Sequence, residues 1–466
     1  MSSTSSPPQH LVLHRGEEQS NQIRHTVARL EPRSLRTYTP SLAVIQRSAG
    51  CYHWTPEGRM LADFTSGVLV ANLGHNPGRW WARVLGYLGL DHPDFAQPFV
   101  PSVPLTSYNA VTPLEADASQ RLIDLLQSQL GGARCEQVLW AASGSEAIQK
   151  ALWCALARGG PEPIILATRD GFHGKKGLAG AVTGNEQSPE RDPRVRFISF
   201  PKKECESVQA RRQPLDLDPY RQELEQLWHQ YGSRICCLIT EPYLGGGGSY
   251  HPQKEYLQLL QQFCREHDVV FILDEVQSNF GRTGPLFAFT HYGVEPDVVV
   301  LGKGLGNGVA VSAACGRADV LDLLDYGACS DTFSGNPLAC AAVLATLDEF
   351  QEQNVLEHAA QLAQVIEKGL LRLTETPVVA RVRGEGVVWG VECAPVGNHS
   401  ADEVANACVL ACYQGDSSGR AIHLLGPLAG NVLRVSPPLV MPLDEAELYL
   451  EAMYDIFSSL GENLAG

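Results

Sequence analysis

The sequence predicts an α/β fold in which a mostly parallel sheet is covered by helices and accompanied by a smaller α+β lobe. From about residue 77 to residue 342, short apolar runs alternate with segments of helical periodicity, which is typical of a parallel sheet. Near Glu349 the pattern changes to long helical segments separated by hairpin-like strands. Because 466 residues also exceed one ordinary hydrophobic core, we expect two lobes.

The limits of the lobes follow from where these patterns change. Residues 1–36 are Ser/Pro-rich at their start, which favours a partly disordered N-terminal arm. Residues 77–344 are expected to form the large lobe, and residues 37–76 and 345–466 the small one. Five apolar runs are expected as strands of the large lobe: 137–142, 163–168, 234–240, 269–274 and 297–301. Four longer segments are expected as helices: 252–267, 355–373, 402–413 and 444–460.

The composition is that of a soluble globular protein, with 44% hydrophobic and 19% charged residues. A formal net charge of −16 argues against nonspecific nucleic-acid binding. Thirteen cysteines without Cys-x-x-Cys spacing argue against a zinc site and a disulfide framework, so we expect reduced thiols and no metal. The N-terminus lacks the apolar core of a signal peptide, and no apolar run is long enough to span a bilayer. These features predict a cytoplasmic protein that binds neither nucleic acid nor membranes.

Two strand ends carry the residues that indicate the chemistry. The run Phe-Ile-Leu-Asp-Glu-Val-Gln at residues 271–277 is typical of a buried strand that delivers the carboxylate of Asp274 to the edge of a sheet. After a Gly-Arg-Thr-Gly turn at residues 281–284, the next strand delivers Lys303 between two glycines. A lysine and a carboxylate so placed suit pyridoxal phosphate, because the lysine forms a Schiff base and the acid keeps the pyridine nitrogen protonated.

The segments FILDEVQSNFGRTG and DVVVLGKG, with 29 positions from Asp274 to Lys303 (303 − 274), resemble the signature of class III (ω-) aminotransferases. This family belongs to the fold type I enzymes that depend on pyridoxal phosphate, and the resemblance extends from about Pro40 onward. It implies a seven-stranded sheet, pyridoxal 5′-phosphate as cofactor, and an obligate homodimer with shared active sites. It also implies a ping-pong reaction that moves an amino group from an amino acid or ω-amino donor to a 2-oxo acid, 2-oxoglutarate or pyruvate.

The resemblance also assigns residues to the cofactor. Gly144 and Ser145 lie between a strand and a helix, where glycine and free backbone amides favour a phosphate. Phe172 and His173 occupy the family's aromatic-His-Gly triplet, in which the aromatic ring stacks on the pyridine. Gln277 corresponds to the residue that reaches the phenolic oxygen of the cofactor.

The same resemblance implies two further roles. Thr332, in the segment Ser-Asp-Thr-Phe-Ser-Gly-Asn-Pro at residues 330–337, corresponds to a threonine that reaches the phosphate of the neighbouring subunit's cofactor. Lys303 corresponds to the lysine that forms the Schiff base and then carries the α-proton of the substrate. That proton transfer needs a free amine, and therefore a lysine whose pKa is lowered by its surroundings.

Residues for substrate recognition are fewer. Arg434 corresponds to an arginine that clamps a substrate carboxylate, a task for which its planar fork is suited. Glu241 corresponds to the glutamate that pairs with this arginine when no carboxylate is bound, so the two residues are expected to form a switch.

The chain also departs from the family pattern. Glycines at residues 245–248 replace polar loop residues, which predicts a roomier or more mobile wall. Val68 stands where ornithine δ-aminotransferases have tyrosine, and this difference disfavours ornithine itself as the substrate. Lys175 stands where N-acetylornithine aminotransferases have arginine, and this difference neither favours nor excludes N-acetylornithine as a substrate. Asn279 replaces a glycine, and asparagine tolerates a positive φ.

Several other activities are alternatives for a sequence of this kind. Residues Val68, Phe172 and Gln277 count against a decarboxylase or an aminomutase of the same fold, whereas a racemase stays possible, as does a non-catalytic protein that binds pyridoxal phosphate. A Rossmann oxidoreductase is excluded, because Asn307 breaks the G-x-G-x-x-G spacing of the glycines near residue 304.

Overall fold

The protein is described by a computed structural model that covers residues 11–94, 96–184 and 191–466. In chain order, its strands are β1 (Arg47–Ala49), β2 (Tyr52–Trp54), β3 (Met60–Asp63), β4 (Gln137–Ala141), β5 (Ile164–Thr168), β6 (Val195–Ile198), β7 (Ile235–Thr240), β8 (Val270–Asp274), β9 (Val298–Leu301), β10 (Ser312–Gly316), β11 (Val379–Glu385), β12 (Val388–Cys393), β13 (Ala421–His423) and β14 (Val432–Val435). The expected strands β4, β5, β7, β8 and β9 are confirmed to within one or two residues.

The main helices of the described chain are Glu18–Leu30, Gly78–Leu88, Pro113–Gln127, Gly144–Arg158, Gly177–Ala181, Val208–Arg211, Asp218–Tyr231, Lys254–Glu266, Ala288–Tyr292, Ala318–Leu321, Pro337–Glu352, Val355–Arg372, Ala401–Gln414 and Leu443–Ala465. Short 3-10 turns occupy Arg33–Leu35, Lys203–Cys205, Gly232–Arg234, Lys303–Leu305 and Leu373–Glu375. None of the described helices is both long and apolar enough to cross a membrane. All thirteen cysteines are unpaired, as expected.

Seven strands form the central sheet in the order β4-β10-β9-β8-β7-β5-β6. The pairs from β9 to β6 are parallel, and every residue of β7 and β8 is buried. This burial explains their continuous apolar sequences, because helices cover both faces of a parallel sheet. The α/β class and the seven-stranded sheet are therefore confirmed.

Strand β10 reverses the direction of the sheet. It runs antiparallel to both β9 and β4. Only residues 302–311 connect β9 to β10, which is too short for the helical crossover that a parallel neighbour requires. The resulting loop passes over the carboxyl end of β9, where Lys303 lies.

The small lobe joins both ends of the chain. Strand β3 pairs in parallel with β13 in a four-stranded sheet, and β11, β12 and β14 form a separate antiparallel sheet. The described part of the N-terminal arm is held against this lobe: Arg24 pairs with Glu17, and Arg59 also binds Glu17. Residues 1–10 of the predicted arm lie outside the described residues.

One helix crosses the predicted boundary between the lobes at residue 344. Helix Pro337–Glu352 is continuous, and Thr346 within it accepts a hydrogen bond of 3.0 Å from the indole of Trp80. Asp348 also forms an ion pair of 3.0 Å with Arg83. Because these contacts tie the whole helix to the large lobe, we propose that the division falls after Glu352.

Arg282 joins the two lobes from inside the protein. Its side chain is fully buried, and its guanidinium donates to the carbonyl oxygens of Val387 and Pro437, to the Ser66 hydroxyl, and to the Asn72 amide oxygen. Burial lowers the pKa of Arg282 to about 10, although nearby Tyr243 and Asp63 oppose this shift. Removing the guanidinium would leave several buried acceptors unsatisfied.

Arg282→Met is therefore expected to lower the free energy of unfolding by about 3 kcal/mol or more. Urea unfolding followed by circular dichroism at fixed protein concentration measures this change. Arg221→Met is the control, because Arg221 forms only an exposed pair with Asp218 and should cost less than about 1 kcal/mol. Equal losses in the two variants would contradict a joining role for Arg282.

Candidate active site

The carboxyl ends of β8 and β9 open into a cavity of about 570 Å³. Because the two strands are parallel neighbours, Asp274 and Lys303 reach the same edge of the sheet. The residues that line the cavity are Val70, Ala142, Ser143, Gly144, Ser145, Phe172, His173, Gly174, Lys175, Lys176, Glu241, Asp274, Val276, Gln277, Lys303, Gly308, Val309, Ala310, Val311 and Ser312. Of the ten predicted site residues, eight are brought together here, and Thr332 and Arg434 are not on this wall.

Asp274 is oriented by His173. The two buried side chains meet through His173 Nδ1 and Asp274 Oδ2 at 2.7 Å, and Asp274 Oδ1 accepts from the Val276 amide at 3.0 Å. Burial opposes the charged form of His173, but the hydrogen bond and charge of Asp274 outweigh it and raise the pKa of His173. His173 therefore holds the carboxylate of Asp274 in place at the end of β8.

Lys303 begins the 3-10 turn that follows β9. Its φ of 46° lies in the left-handed region, which is uncommon for a residue other than glycine. Loss of water lowers the pKa of Lys303 to about 8, and the positive charge of Arg434 acts in the same direction, against the charges of Asp274 and Glu241. The lowered pKa that the chemistry requires is therefore present.

The start of helix Gly144–Arg158 forms an anion cradle. Ser143 caps the helix by accepting from the Glu146 amide at 3.3 Å, whereas the amides of Gly144 and Ser145 have no acceptor within the helix. A Cβ at Gly144 would lie 2.9 Å from Val276 Cγ1, and one at Gly174 would lie 2.4 Å from Ser145 Oγ. No side chain therefore fits at either glycine, so the backbone lies close to the free amides at the start of the helix, which suit a phosphate.

Phe172 and Gln277 form two further parts of the wall. The Phe172 ring is 45% exposed, as expected for a face left open to a ligand. Gln277 Oε1 accepts from the hydroxyl of Tyr243 at 2.9 Å, so its amide nitrogen remains available for a ligand. Tyr243 is not among the residues predicted from the sequence, although it is the aromatic residue directly after the Glu241-Pro242 pair.

The glycine run does not leave open space. A Cβ at Gly245 would lie 2.1 Å from Gln277 Oε1, and one at Gly246 would lie 2.7 Å from Phe172 Cβ. The expectation of a roomier wall is wrong at these two positions, because the backbone packs directly against two residues of the cavity.

Glu241 lines this wall and Arg434 is buried, and the two side chains form no ion pair with each other. Glu241 accepts from the amides of Phe172 at 2.8 Å and Gly245 at 3.1 Å, and Arg434 donates to the Gly245 carbonyl oxygen at 2.9 Å. The expected pairing of the two side chains is therefore absent in this structure. Burial raises the pKa of Glu241 to about 7, while the charge of His173 opposes the shift.

Arg434 keeps unused donors. Its Nε has no hydrogen-bond partner, although the side chain is only 4% exposed. Burial lowers the pKa of Arg434, and the neighbouring Tyr243 and Glu241 counteract this effect. A ligand carboxylate is the group that would satisfy these donors.

Thr332 is exposed in the loop before helix Pro337–Glu352. Buried Lys150 holds this loop through an ion pair of 2.7 Å with Asp331 and a hydrogen bond of 3.0 Å to Ser334. The loop is thus fixed to the large lobe, and Thr332 does not line this chain's cavity.

Asn279 connects the two catalytic strand ends. Its amide nitrogen donates to the carbonyl oxygen of Glu275 at 2.6 Å and to that of Gly302 at 3.0 Å. The positive φ of this turn falls on Phe280, at 51°, and not on Asn279 as expected.

The profile of the aminotransferase class-III family matches residues 34–457. The chain belongs to this family. Ornithine aminotransferase of Emericella nidulans is 29% identical over 446 residues, which span 92% of this chain and 88% of that protein. Acetylornithine aminotransferase of Agrobacterium fabrum is 30% identical over 410 residues, which span 86% of this chain and 90% of that protein. A solved structure of Toxoplasma gondii ornithine aminotransferase is 23% identical and has a TM-score of 0.78, with 97% of both chains covered.

The family and the site agree on the reaction. The protein is an aminotransferase that depends on pyridoxal 5′-phosphate, and its fold is that of the fold type I enzymes. The cavity fits this cofactor, because it combines an amine, a supported carboxylate, an open ring face and an anion cradle. Racemase, decarboxylase, aminomutase and non-catalytic alternatives are not favoured, because the relatives are aminotransferases.

Lys303 is expected to capture pyridoxal phosphate at a lower pH than an ordinary lysine does. Only the neutral amine attacks an aldehyde, so the rate of Schiff-base formation by protein freed of cofactor should rise as the pH increases through about 8. Stopped-flow absorbance measures this rate. Nα-acetyl-lysine, with a pKa of about 10.4, is the reference.

Two variants control this experiment. Lys303→Ala should form no such adduct, whereas Lys175→Ala should keep the pH profile, because Lys175 is an exposed lysine on the same wall. A midpoint that coincides with that of Nα-acetyl-lysine would show that the site does not activate Lys303.

Proposed function

We propose that this chain removes the terminal amino group of an amino acid whose carboxylate lies at the other end of the molecule. It transfers this amino group to a 2-oxo acid, either 2-oxoglutarate or pyruvate. The observation that carries this proposal is the buried cation of Arg434, which has unused donors and lowers the pKa of Lys303. A fixed positive charge beside the reactive amine suits substrates with an amine at one end and a carboxylate at the other. The relatives' names, ornithine and acetylornithine aminotransferase, denote donors of this kind.

The residues of the cavity divide the work. When bound, pyridoxal phosphate supplies an electron sink for the carbon that loses its proton. Asp274, supported by His173, would hold the proton on the ring nitrogen. Lys303 would carry a proton between the substrate carbon and the cofactor, since its pKa near 8 allows a neutral amine at physiological pH.

The remaining residues would position the ligands. The amides of Gly144 and Ser145 would bind the phosphate, Phe172 would cover the ring face, and Gln277 would donate to the phenolic oxygen. Glu241 would balance the charge of Arg434 when no carboxylate is present, through the field that already acts between them.

The donor is identified by titrating the holoenzyme with amines and following its absorption spectrum. We expect 4-aminobutyrate, 5-aminovalerate or N-acetylornithine to bleach the lysine-bound cofactor, and a 2-oxo acid to restore the colour. Ornithine is expected to be a weaker donor because Val68 provides no tyrosine hydroxyl. A protein that no amine bleaches would overturn the proposed transamination by this chain.

Arg434→Lys tests the carboxylate clamp. The loss of a planar fork should raise the KM for a carboxylate-bearing substrate by about tenfold or more, while the KM for an amine donor without a carboxylate changes little. Arg381→Lys is the control, because Arg381 is a partly exposed residue of the small lobe that pairs with Glu392. Equal effects on both substrate types would remove Arg434 from carboxylate recognition.

We also propose that the protein is a cytoplasmic homodimer in which Thr332 serves the partner's site. Its exposure and its absence from this chain's cavity wall support the shared site. Twelve buried thiols and one partly exposed thiol, none of them paired, support a reducing compartment.

A mixture of two variants tests the shared site. Lys303→Ala chains keep Thr332, and Thr332→Ala chains keep Lys303, so a mixed dimer regains one intact site only if Thr332 acts across the interface. Mixing should therefore restore tight cofactor binding at the single Lys303 site of each mixed dimer, which is one of its two sites. A Thr374→Ala chain, altered at an exposed threonine elsewhere, is the control for exchange of subunits. If cofactor binding at the Lys303 site of the Thr332→Ala chain stays weak after mixing, the threonine acts within its own chain or not at all.

A further inference from the structure

Two histidines and an aspartate form a polar cluster outside the cofactor cavity. His53 lies on β2, Asp63 ends β3, and His75 follows the turn after β3. One side-chain atom from each residue lies within 4.8 Å of the others. Asp63 Oδ2 is 2.7 Å from His75 Nε2 and 3.5 Å from His53 Nε2.

The charge of Asp63 is the central feature of this cluster. The carboxylate is completely buried, and in the described part of the chain its ion pairs are made with histidines alone. A buried carboxylate requires a compensating positive charge. That charge is supplied either by a proton on an imidazole or by a metal ion.

The second ring nitrogen of His53 is already held in place. Ser48 Oγ lies 2.7 Å from His53 Nδ1, which directs Nε2 towards Asp63. An oxygen that fixes the far nitrogen of a histidine is the usual support of a metal ligand.

His423 lies at the side of the cluster. Its ring meets that of His53 edge-on, with centroids 5.3 Å apart, and its Nδ1 is buried without a hydrogen-bond partner. His423 therefore adds a third imidazole beside the cluster.

We propose that His53, Asp63 and His75 bind one divalent transition-metal ion, of which Zn²⁺ fits best. The ligands are Nε2 of His53, a carboxylate oxygen of Asp63 and Nε2 of His75, a set of nitrogen and oxygen donors that Zn²⁺ accepts. In a tetrahedral site with bonds of about 2.1 Å, two ligand atoms lie about 3.4 Å apart. The 3.5 Å between His53 and Asp63 already matches this spacing, whereas His75 and Asp63, at 2.7 Å, have to separate when the ion binds. The ion takes the place of the direct contact between His75 Nε2 and Asp63 Oδ2.

The ion would fasten a wall of the catalytic cavity. Asp63 Oδ1 accepts hydrogen bonds from the amide and the hydroxyl of Thr65. Thr65 is the residue directly before the turn Ser66–Leu69. On the other side of this turn, Val70 lines the cavity. The role assigned to the metal is therefore structural, and it acts on the shape of the cavity without contacting the reacting atoms.

Cysteine spacing could not reveal this site. The expectation of no metal rested on the absence of Cys-x-x-Cys motifs, whereas these ligands lie at positions 53, 63 and 75 without a recognised spacing. Pairing of β2 with β3, and the two hydrogen bonds between Gly50 and His75, bring them together.

The test uses the untagged holoenzyme, treated with a chelator, dialysed, and titrated with Zn²⁺ in a calorimeter. We expect one ion per chain, a rise in the thermal midpoint on binding, and loss of both effects in His53→Gln and His75→Gln. Ser48→Ala should weaken binding by about 10- to 100-fold, because it releases the support of His53. His92→Gln is the matched control, because His92 is a highly exposed histidine outside the cluster, and it should bind as the unaltered protein does.

Two results would overturn the proposal. One is the absence of stoichiometric binding, and the other is binding that persists in His53→Gln, which would assign the ion to the cofactor or to surface groups. If His53→Gln does not fold, zinc-edge X-ray absorption of the unaltered holoenzyme decides the matter. Two imidazoles with an oxygen ligand support the cluster, and sulfur ligands or a lack of imidazole contradict it.

Discussion

The parallel pairing of β8 with β9 is the constraint on which the site depends. Side by side and fully buried, these strands end at one edge and bring Asp274 and Lys303 to the same cavity. The Asn279 amide then joins the backbone after β8 to the backbone before Lys303. The short loop to β10 follows from this arrangement, because it reverses the chain over Lys303 and supplies one wall of the cavity. The chemistry therefore rests on a sheet whose burial would be costly to disturb.

Loss of water controls the charges around this edge. Burial disfavours the charged forms of Glu241, Arg434 and Lys303, and the groups at this edge have different neighbours. Asp274 has His173, Glu241 has two backbone amides, and Arg434 has the Gly245 carbonyl oxygen. Lys303 has no such fixed partner among the described residues, and its pKa falls accordingly. The side chain that must exchange a proton is thus the one that no described residue holds by a hydrogen bond.

The sequence predicted the large sheet and the identity of most site residues, because apolar runs that end in Asp274 or Gly302-Lys303 carry a strong local signal. It did not predict the partners of those residues. Nothing in the sequence places Tyr243 on Gln277, or sends Glu241 to backbone amides in place of Arg434, because both choices depend on how the glycine run packs. The reversal at β10 was also missed, since Ser-Ala-Ala-Cys-Gly is too short and small to indicate a direction.

The turn Ser66–Leu69 shows how the two lobes share control of one wall. All four of its residues have positive φ, between 48° and 71°, although only one of them is glycine. Such a turn costs free energy at each non-glycine residue, so it persists only if the surroundings hold it from both ends. Asp63 fixes its start through Thr65, and Arg282 of the large lobe bonds to Ser66 and to Asn72 beyond it. Because Val70 is the next residue on the cavity wall, a change at either anchor reaches the substrate through backbone geometry, without any altered contact in the cavity itself.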